Sequence, residues 1–397
     1  MAAELSGQPR AVLFAEERSL EDGSETRRTI SRKDNQLVIA TASRGGETTR
    51  RVPVPKETLG LMREMERWLA GSPKKGAKFE SFSTSWDQNE IDTREIYTFR
   101  GKKKILWGGI RTEVFSVAVH VEGMVLDFEV TADGTPLKGM MGGLLELRAE
   151  KESIARKPAS ESIDMLQASS IKVDRNLGEP RSIASLTLQI SGLGSFQIPS
   201  SPRQRVRSRR GQTLVLELSR DQRSEIPAPL SPSQRSDFLK PTPTLQSDQE
   251  AIRAKARQIV AEETDPLPSA SRLEAWIFHH VRQTMAANQA TALDVLNSLS
   301  GDCTEITMLF VALARAAGIP AREVGGLMFA GEGEPMFGWH AWAEIHDGHQ
   351  WVSIDPTWNQ VYVDATHIKL SEDSNDMAWV NLLGKIKIKI LKFTRKE

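Results

Sequence analysis

The chain has 397 residues, enough for two or three domains. Lysine plus arginine equal aspartate plus glutamate at 52 each, so the overall balance gives no drive toward nucleic acid or an anionic membrane, and no nucleic-acid partner is expected. One cysteine excludes an internal disulfide, and no run of about 18 apolar residues exists to span a membrane.

The opening MAAELSGQPR lacks the apolar stretch of a signal peptide. A periplasmic or secreted location is the expectation, with the signal removed from this chain, and the cytoplasm is the alternative that a single thiol also permits. From about residue 10 to 150, short runs rich in β-branched residues (VLFAEE, TRRTIS, QLVIAT, RTEVFSVAVHV, MVLDFEVTADG) alternate with Gly, Asp and Asn turn signals. Pro55 to Leu69 is the exception, with Leu59, Met62, Met65, Trp68 and Leu69 at helical spacing. This predicts one large curved antiparallel sheet carrying a helix over 1–160. A charged stretch near 150–170 separates it from a small β unit and a Pro/Ser-rich linker over 161–235, in which the arginine run RQRVRSRR reads as a solvated loop. A third domain, 236–397, opens with helical periodicity at Ile252, Ala256, Ile259 and Val260, and again from Leu273 to Met285. It closes on LLGKIKIKILKF, where lysine and isoleucine alternate as in a half-buried strand. The expected class is thus α+β, helices packed on an antiparallel sheet behind a mainly antiparallel β region.

The chemistry concentrates in Gly301–Asn359. Cys303 opens a segment apolar on nearly every side, with Asp302 as N-cap, Glu305 completing a capping box and Gly318-Ile319-Pro320 as the stop. A cysteine in a helix's first turn faces unpaired amides that favour a thiolate. Downstream, HAWAEIH and HQWVSID flank Asp347-Gly348, a strong hairpin signal. If those two residues are the whole turn, opposed residues sum to 695, and His340 faces Asp355 on one side of the sheet. Asp355 can then hold one imidazole nitrogen and leave the other to Cys303, the papain-like order of nucleophile, base and orienter. Trp339, Trp342, Trp351 and Trp358 crowd the same region; they read first as core and cleft wall, with Trp339, Trp342 and Trp358 as candidate substrate contacts. No histidine spacing matches a zinc site, Glu372, Asp373 and Asp376 lack an EF-hand pattern, and neither metal nor other cofactor is expected. Asn288, Gln289 and Asn297 are the upstream amides from which a second oxyanion donor could come.

The run GDCTEITMLFVALARAAGIPAR, the WHAWAEI and WVSIDPTWNQ strands and the later DATHIKLS resemble the core of the transglutaminase-like superfamily, in particular its bacterial members. The resemblance covers about the last 160 residues. It implies a papain-like α+β core with Cys303 as nucleophile, His340 as base and acid, and Asp355 as orienter. It further implies a thioester formed from an amide of a protein or peptide and resolved by an amine or by water. A cysteine peptidase or amidase of the same fold is the alternative within enzymes, and a non-catalytic binding or scaffold module the alternative outside them. Neither substrate identity nor oligomeric state is written in the sequence.

Overall fold

The computed structural model describes residues 2–6, 11–21, 24–43, 46–54, 61–84, 92–141, 145–151, 169–284, 291–330, 335–372 and 378–396. The N-terminal β region is not one sheet. Five strands between Ala2 and Pro53 form an antiparallel meander around Ile30, Leu37, Ile39 and Val52. Six more, from Lys78–Thr84 to Leu145–Arg148, form a second meander. The helix Leu61–Ala70 lies between the two in sequence and interrupts the run of hairpins there. Its Met65 and Leu69 are buried against Tyr97, Phe99, Phe115 and Val117 of the second sheet. The helical spacing therefore had the right period, but the segment divides the sheet instead of lying on an unbroken one.

A four-stranded sheet follows in the order Gln204–Arg210, Thr213–Ser219, Ile183–Ser191, Lys387–Arg395. The alternating C-terminal segment is thus a strand, with Ile388 and Ile390 buried against the small β unit. RQRVRSRR is not a solvated loop. Seven of its eight residues form the strand Gln204–Arg210, and Arg203 just before it is 6% exposed, its guanidinium donating to the carbonyls of Asp364 and His367 at 3.0 and 2.7 Å. Both bonds come from Nη2, and the nearby charges of Asp221, Glu344 and Asp364 offset part of the cost of burying the cation there.

A further sheet runs 360–361, 351–355, 336–346, 321–330, 368–371, and the helix Cys303–Ala316 packs against it. Ten of that helix's fourteen residues are buried, which is why its apolar residues occupy every side. One side meets Ala343, Ile345, Val352 and Ile354; the others meet Ile252, Ala256, Leu273, Ile277 and Val295 of the three helices before it. Full burial of a leucine such as Leu309 or Leu313 contributes about 1.5–3 kcal/mol, so this helix is the most firmly held element near the site. It stops as its sequence indicates, with Gly318 at φ +78° and the Ile319 amide returning to Ala314 O at 2.9 Å. Among the described residues, no helix is long and apolar enough to cross a membrane.

Candidate active site

Cys303 is the first residue of its helix and is partly exposed. Asp302 caps the helix by accepting from Thr304 N at 2.7 Å and Glu305 N at 3.3 Å, while Glu305 returns an oxygen to Asp302 N at 2.7 Å. Asp302 Oδ1 thus takes the second and third amides of the helix, and not that of Cys303. Gly301 is needed for the approach, because a Cβ there would stand 2.8 Å from Glu305 Cβ.

His340 lies on Met336–His346 and Asp355 ends Trp351–Asp355. Their side chains meet, His340 Nε2 lying 2.7 Å from Asp355 Oδ2. The hairpin register differs from the one expected. Glu344 pairs with Ser353 and His346 with Trp351, so partners sum to 697 and not 695. Asp347 Oδ1 accepts from His349 N and Gln350 N, and Asp347 N donates to Gln350 O, so the turn takes four residues, 347–350, and not two. A shift of two preserves strand parity. Asp355 stays on the His340 face but lies diagonal to it instead of directly opposite.

With Nε2 on the carboxylate, Nδ1 is left for Cys303, with which the ring shares a hydrogen bond. Burial disfavours the imidazolium, but the adjoining Asp355 charge and hydrogen bond, with a smaller contribution from Cys303, raise the His340 pKa to about 10. Burial likewise opposes ionisation of Asp355, and the charge and hydrogen bonds of His340 and His367 overcome it, holding the carboxyl well below the usual carboxylate range.

His367 is the residue for which sequence reasoning assigned no role. Its ring is fully buried between two carboxylates, with Nε2 3.1 Å from Asp355 Oδ2 and Nδ1 3.4 Å from Asp364 Oδ1. Burial lowers its affinity for a proton, but Asp364 first and Asp355 second raise it. A ring between two acceptors is satisfied only when both nitrogens carry protons, so His367 is an imidazolium behind Asp355. The signal in the sequence was Asp364-Ala-Thr-His367, an acid and a histidine three residues apart. Only the fold brings that pair to the rear of Asp355.

The tryptophans separate by burial. Trp342 is fully buried with Val324 and Val363, its ring 6.2 Å from His340 and 5.3 Å from His367. It cannot touch a substrate, and its candidacy as a substrate contact is withdrawn; it holds the two imidazoles in place. Gly326 permits this, since a Cβ there would come 2.7 Å from the Trp342 ring and 2.0 Å from Ile368 O. Trp339 is half-buried, packs at a tilt against Trp379 with ring centroids 4.8 Å apart and donates Nε1 to Ser169 O at 3.0 Å. Trp358 is 43% exposed, and its backbone amide donates to Asp355 Oδ1 at 3.2 Å. Trp351 packs edge-on against Phe238 at 4.8 Å. Asn297 is exposed on the helix Ala292–Ser298, whereas Asn288 and Gln289 lie outside the described residues.

A second buried acid stands nearby. Glu274, 3% exposed on the helix Pro266–His280, receives the Asn359 amide at 2.9 and 3.2 Å once that amide is oriented to donate. Burial first and the Asp355 charge second raise its pKa to about 7, against a smaller lowering by Arg181.

Nitrogen and carboxylate atoms of His340, Asp355 and His367 all lie within 4.8 Å of one another. Ligands each about 2.0–2.2 Å from a tetrahedral zinc stand well over 3 Å apart, so a 2.7 Å contact between His340 and Asp355 is a hydrogen bond and not a ligand edge. Glu372, the one described member of the acidic group near the C-terminus, is engaged by Lys369 Nζ at 2.5 Å and Arg322 at 3.2 Å; Asp373 and Asp376 lie outside the described residues.

Residues 253–356 match the family model for the transglutaminase-like superfamily, a span that includes Cys303, His340 and Asp355 and stops short of His367. Over 96 residues the chain is 34% identical to an uncharacterised protein of Haemophilus influenzae, a match covering 23% of this chain and 26% of that protein. The chain thus spans about a quarter of the length of that curated relative. Among solved structures, one described as a candidate cysteine protease from Cytophaga hutchinsonii superposes with a TM-score of 0.37 at 18% identity, over 54% of this chain and 86% of its own. The periplasmic domain of TgpA from Pseudomonas aeruginosa gives 0.30 at 20% identity, over 46% of this chain and 67% of its own. Residues 253–356 of this chain form a domain of the transglutaminase-like superfamily.

Proposed function

We propose that this protein is a thiol acyl-transfer enzyme acting on amide bonds of protein or peptide substrates, with Cys303 as nucleophile, His340 as proton shuttle and Asp355 as orienter. The observation that carries the reading is the hydrogen-bonded line Asp355, His340, Cys303 at the start of a buried helix. Cys303 Sγ attacks the amide carbon, and the Cys303 amide, left over by the cap, donates to the oxyanion. His340 gives its proton to the departing nitrogen as the C–N bond breaks, leaving a thioester and a neutral imidazole. An amine or water then adds to the thioester while His340 takes its proton, and the thiolate leaves. The exposed Trp358 and half-buried Trp339 are the aromatic surfaces from which a substrate-binding wall would be drawn. Hydrolysis, the peptidase or amidase alternative, uses the same first step and differs only in the second nucleophile. We also take 236–397 as the catalytic unit, with 1–160 and 161–235 as accessory β units.

The test is alkylation of Cys303 by a thiol-reactive probe across pH, in the parent protein and in His340→Ala. Reactivity that persists below the range of a free thiol and is lost on removing the imidazole supports the reading. A free-thiol profile that is the same in both proteins overturns it. Incorporation of a labelled primary amine into a glutamine-containing protein then separates transfer from hydrolysis, which releases ammonia or a new peptide end without it.

A further inference from the structure

The whole-chain charge balance conceals a local concentration of basic and apolar side chains. The strands Asp92–Trp107 and Ile110–Val121 form a long hairpin, paired from Glu95↔Val121 to Trp107↔Ile110 around Gly108-Gly109. Their neighbours in the sheet are shorter. The strand Lys78–Thr84 pairs only with 92–98, and Met124–Val130 only with 115–121. The end of the hairpin, 103–107 with 110–114, is thus a two-stranded arm extending beyond the pairing of the strands on either side, with Lys102 at its base.

Its tip is apolar in the wrong place for a soluble sheet. Leu106 and Ile110 are 71% and 70% exposed, the largest exposures among the described large hydrophobic residues apart from Ile226, and half-buried Trp107 lies between them in sequence. Arg148, on the edge strand Leu145–Arg148 of the same sheet, holds its guanidinium 5.7 Å over the Trp107 ring. Behind the tip, Arg100, Lys102, Lys103, Lys104 and Arg111 are all exposed, against one acid, Glu113. Lys103 is tied to Glu129 at 2.5 Å, whereas Lys104 and Arg111 share the face of Leu106. Outward along the arm, the basic residues thus give way to Leu106, level with Arg111, and then to the pair Trp107 and Ile110 at the glycine turn.

We propose that this arm docks the protein on an anionic lipid surface, with Leu106, Trp107 and Ile110 entering the interface and Lys102, Lys104 and Arg111 meeting the headgroups. A protruding tip offers a partner protein no groove. A bilayer instead receives aliphatic and aromatic side chains at and below its headgroups and attracts the basic belt above. Each basic residue near an anionic surface strengthens association about fivefold, so the belt and the tip together meet the need of reversible anchors for two signals. The far end of the same strand, at the Val121–Met124 turn, is fastened to the C-terminal region: Asn381 receives Val125 N at 2.8 Å and donates to Gly123 O at 2.9 Å. The sheet is thereby a spacer between the docking tip and the region that carries Cys303.

The test is co-sedimentation of the full chain with vesicles of phosphatidylcholine alone and of equal parts phosphatidylcholine and phosphatidylglycerol. The parent protein is expected to sediment with the anionic vesicles at least tenfold better than with the neutral ones, and to be released by salt. Leu106→Ser with Ile110→Ser, and separately Lys102→Glu with Lys104→Glu, should each lose at least tenfold in binding. Both leave Cys303 labelling unchanged, which shows that the protein is folded. A parent protein that stays in solution with both vesicle types overturns the proposal, as does a Leu106→Ser, Ile110→Ser variant that binds equally well. So does a parent protein that dimerises without lipid through the tip and becomes monomeric on those substitutions.

Discussion

Asp355 is bonded to His340 although the two are not cross-strand partners. The four-residue turn at 347–350 sets Asp355 one diagonal step from His340, and the 2.7 Å contact survives because the shift is by an even number of residues. An odd slip would have turned the carboxylate into the opposite face of the sheet. The same carboxylate serves four donors, with Oδ2 on His340 and His367 and Oδ1 on the amides of Thr357 and Trp358.

That division of labour predicts the behaviour of Asp355→Asn. The amide oxygen can keep the two backbone bonds, so the fold is retained, but the NH2 then faces both imidazoles, demands the wrong tautomer of His340 and cannot stabilise its cation. Turnover should fall by at least about a hundredfold with little change in melting temperature. His346→Asn is the control. His346 is buried and bonded to Ala228 O at 3.0 Å, so its replacement should cost stability and spare turnover per folded molecule. Equal loss of turnover in the two variants would remove Asp355 from its proposed role.

His367 should act through Asp355. Its cation draws on the same carboxylate oxygen that holds His340, so in His367→Gln the full Asp355 charge falls on His340, with Asp364 behind it left unneutralised. The imidazolium of His340 is then more stable, and the alkaline limb of kcat/KM should move to higher pH, with turnover reduced about tenfold. A variant with a lower melting temperature and an unmoved pH profile would make His367 a packing residue only.

The parts of this site that were legible are those with local signals. The helix of Cys303, its capping box and its Gly318 stop are specified within a few residues, and all stand as the sequence indicates. The hairpin was legible in its faces but not in its register, because Asp347 accepts two amides and so lengthens a turn that Asp-Gly alone would close. Burial was not legible for the tryptophans: WHAWAEI gives Trp342 the same apparent claim on substrate as Trp339, and only the neighbouring strands show it to be enclosed. Arg203 and His367 were missed for the same reason, since each is defined by contacts with segments about 160 residues or about a dozen residues away that no local pattern encodes.

Beneath the sheet, Glu344 is 4% exposed and its pKa is held at about 2, since Lys369 and Arg322 outweigh the cost of burial. Lys369 Nζ lies 2.9 Å from one Glu344 oxygen and Arg322 2.6 Å from the other. Lys369→Met should destabilise the fold by about 3 kcal/mol, because it leaves half of a buried carboxylate uncompensated. Adding Glu344→Gln should recover part of that loss. Urea unfolding of the single and double variants measures both, and a double variant weaker than the sum of the single ones would mean that the pair is not a unit.

Glu274 gives the last prediction, and its sign is the reverse of an ordinary surface carboxylate. In the unfolded chain its pKa lies near the usual 4.5, and in the fold burial and the Asp355 charge raise it to about 7. A raised pKa means that the native state favours the protonated acid, so this group's contribution to stability is complete below about 4.5 and is lost as pH rises through about 7. The difference corresponds to at most about 3 kcal/mol across that window. Glu274→Gln is neutral at every pH and still offers an oxygen to the Asn359 amide, so it should match the parent protein in acid and exceed it in stability above neutrality. Denaturant unfolding from about pH 5 to pH 8 reads the difference directly. A gap between the two proteins that stays constant over that range would show that Glu274 keeps its charge throughout, and that the electrostatic coupling between the helix Pro266–His280 and Asp355 is too weak to move a proton.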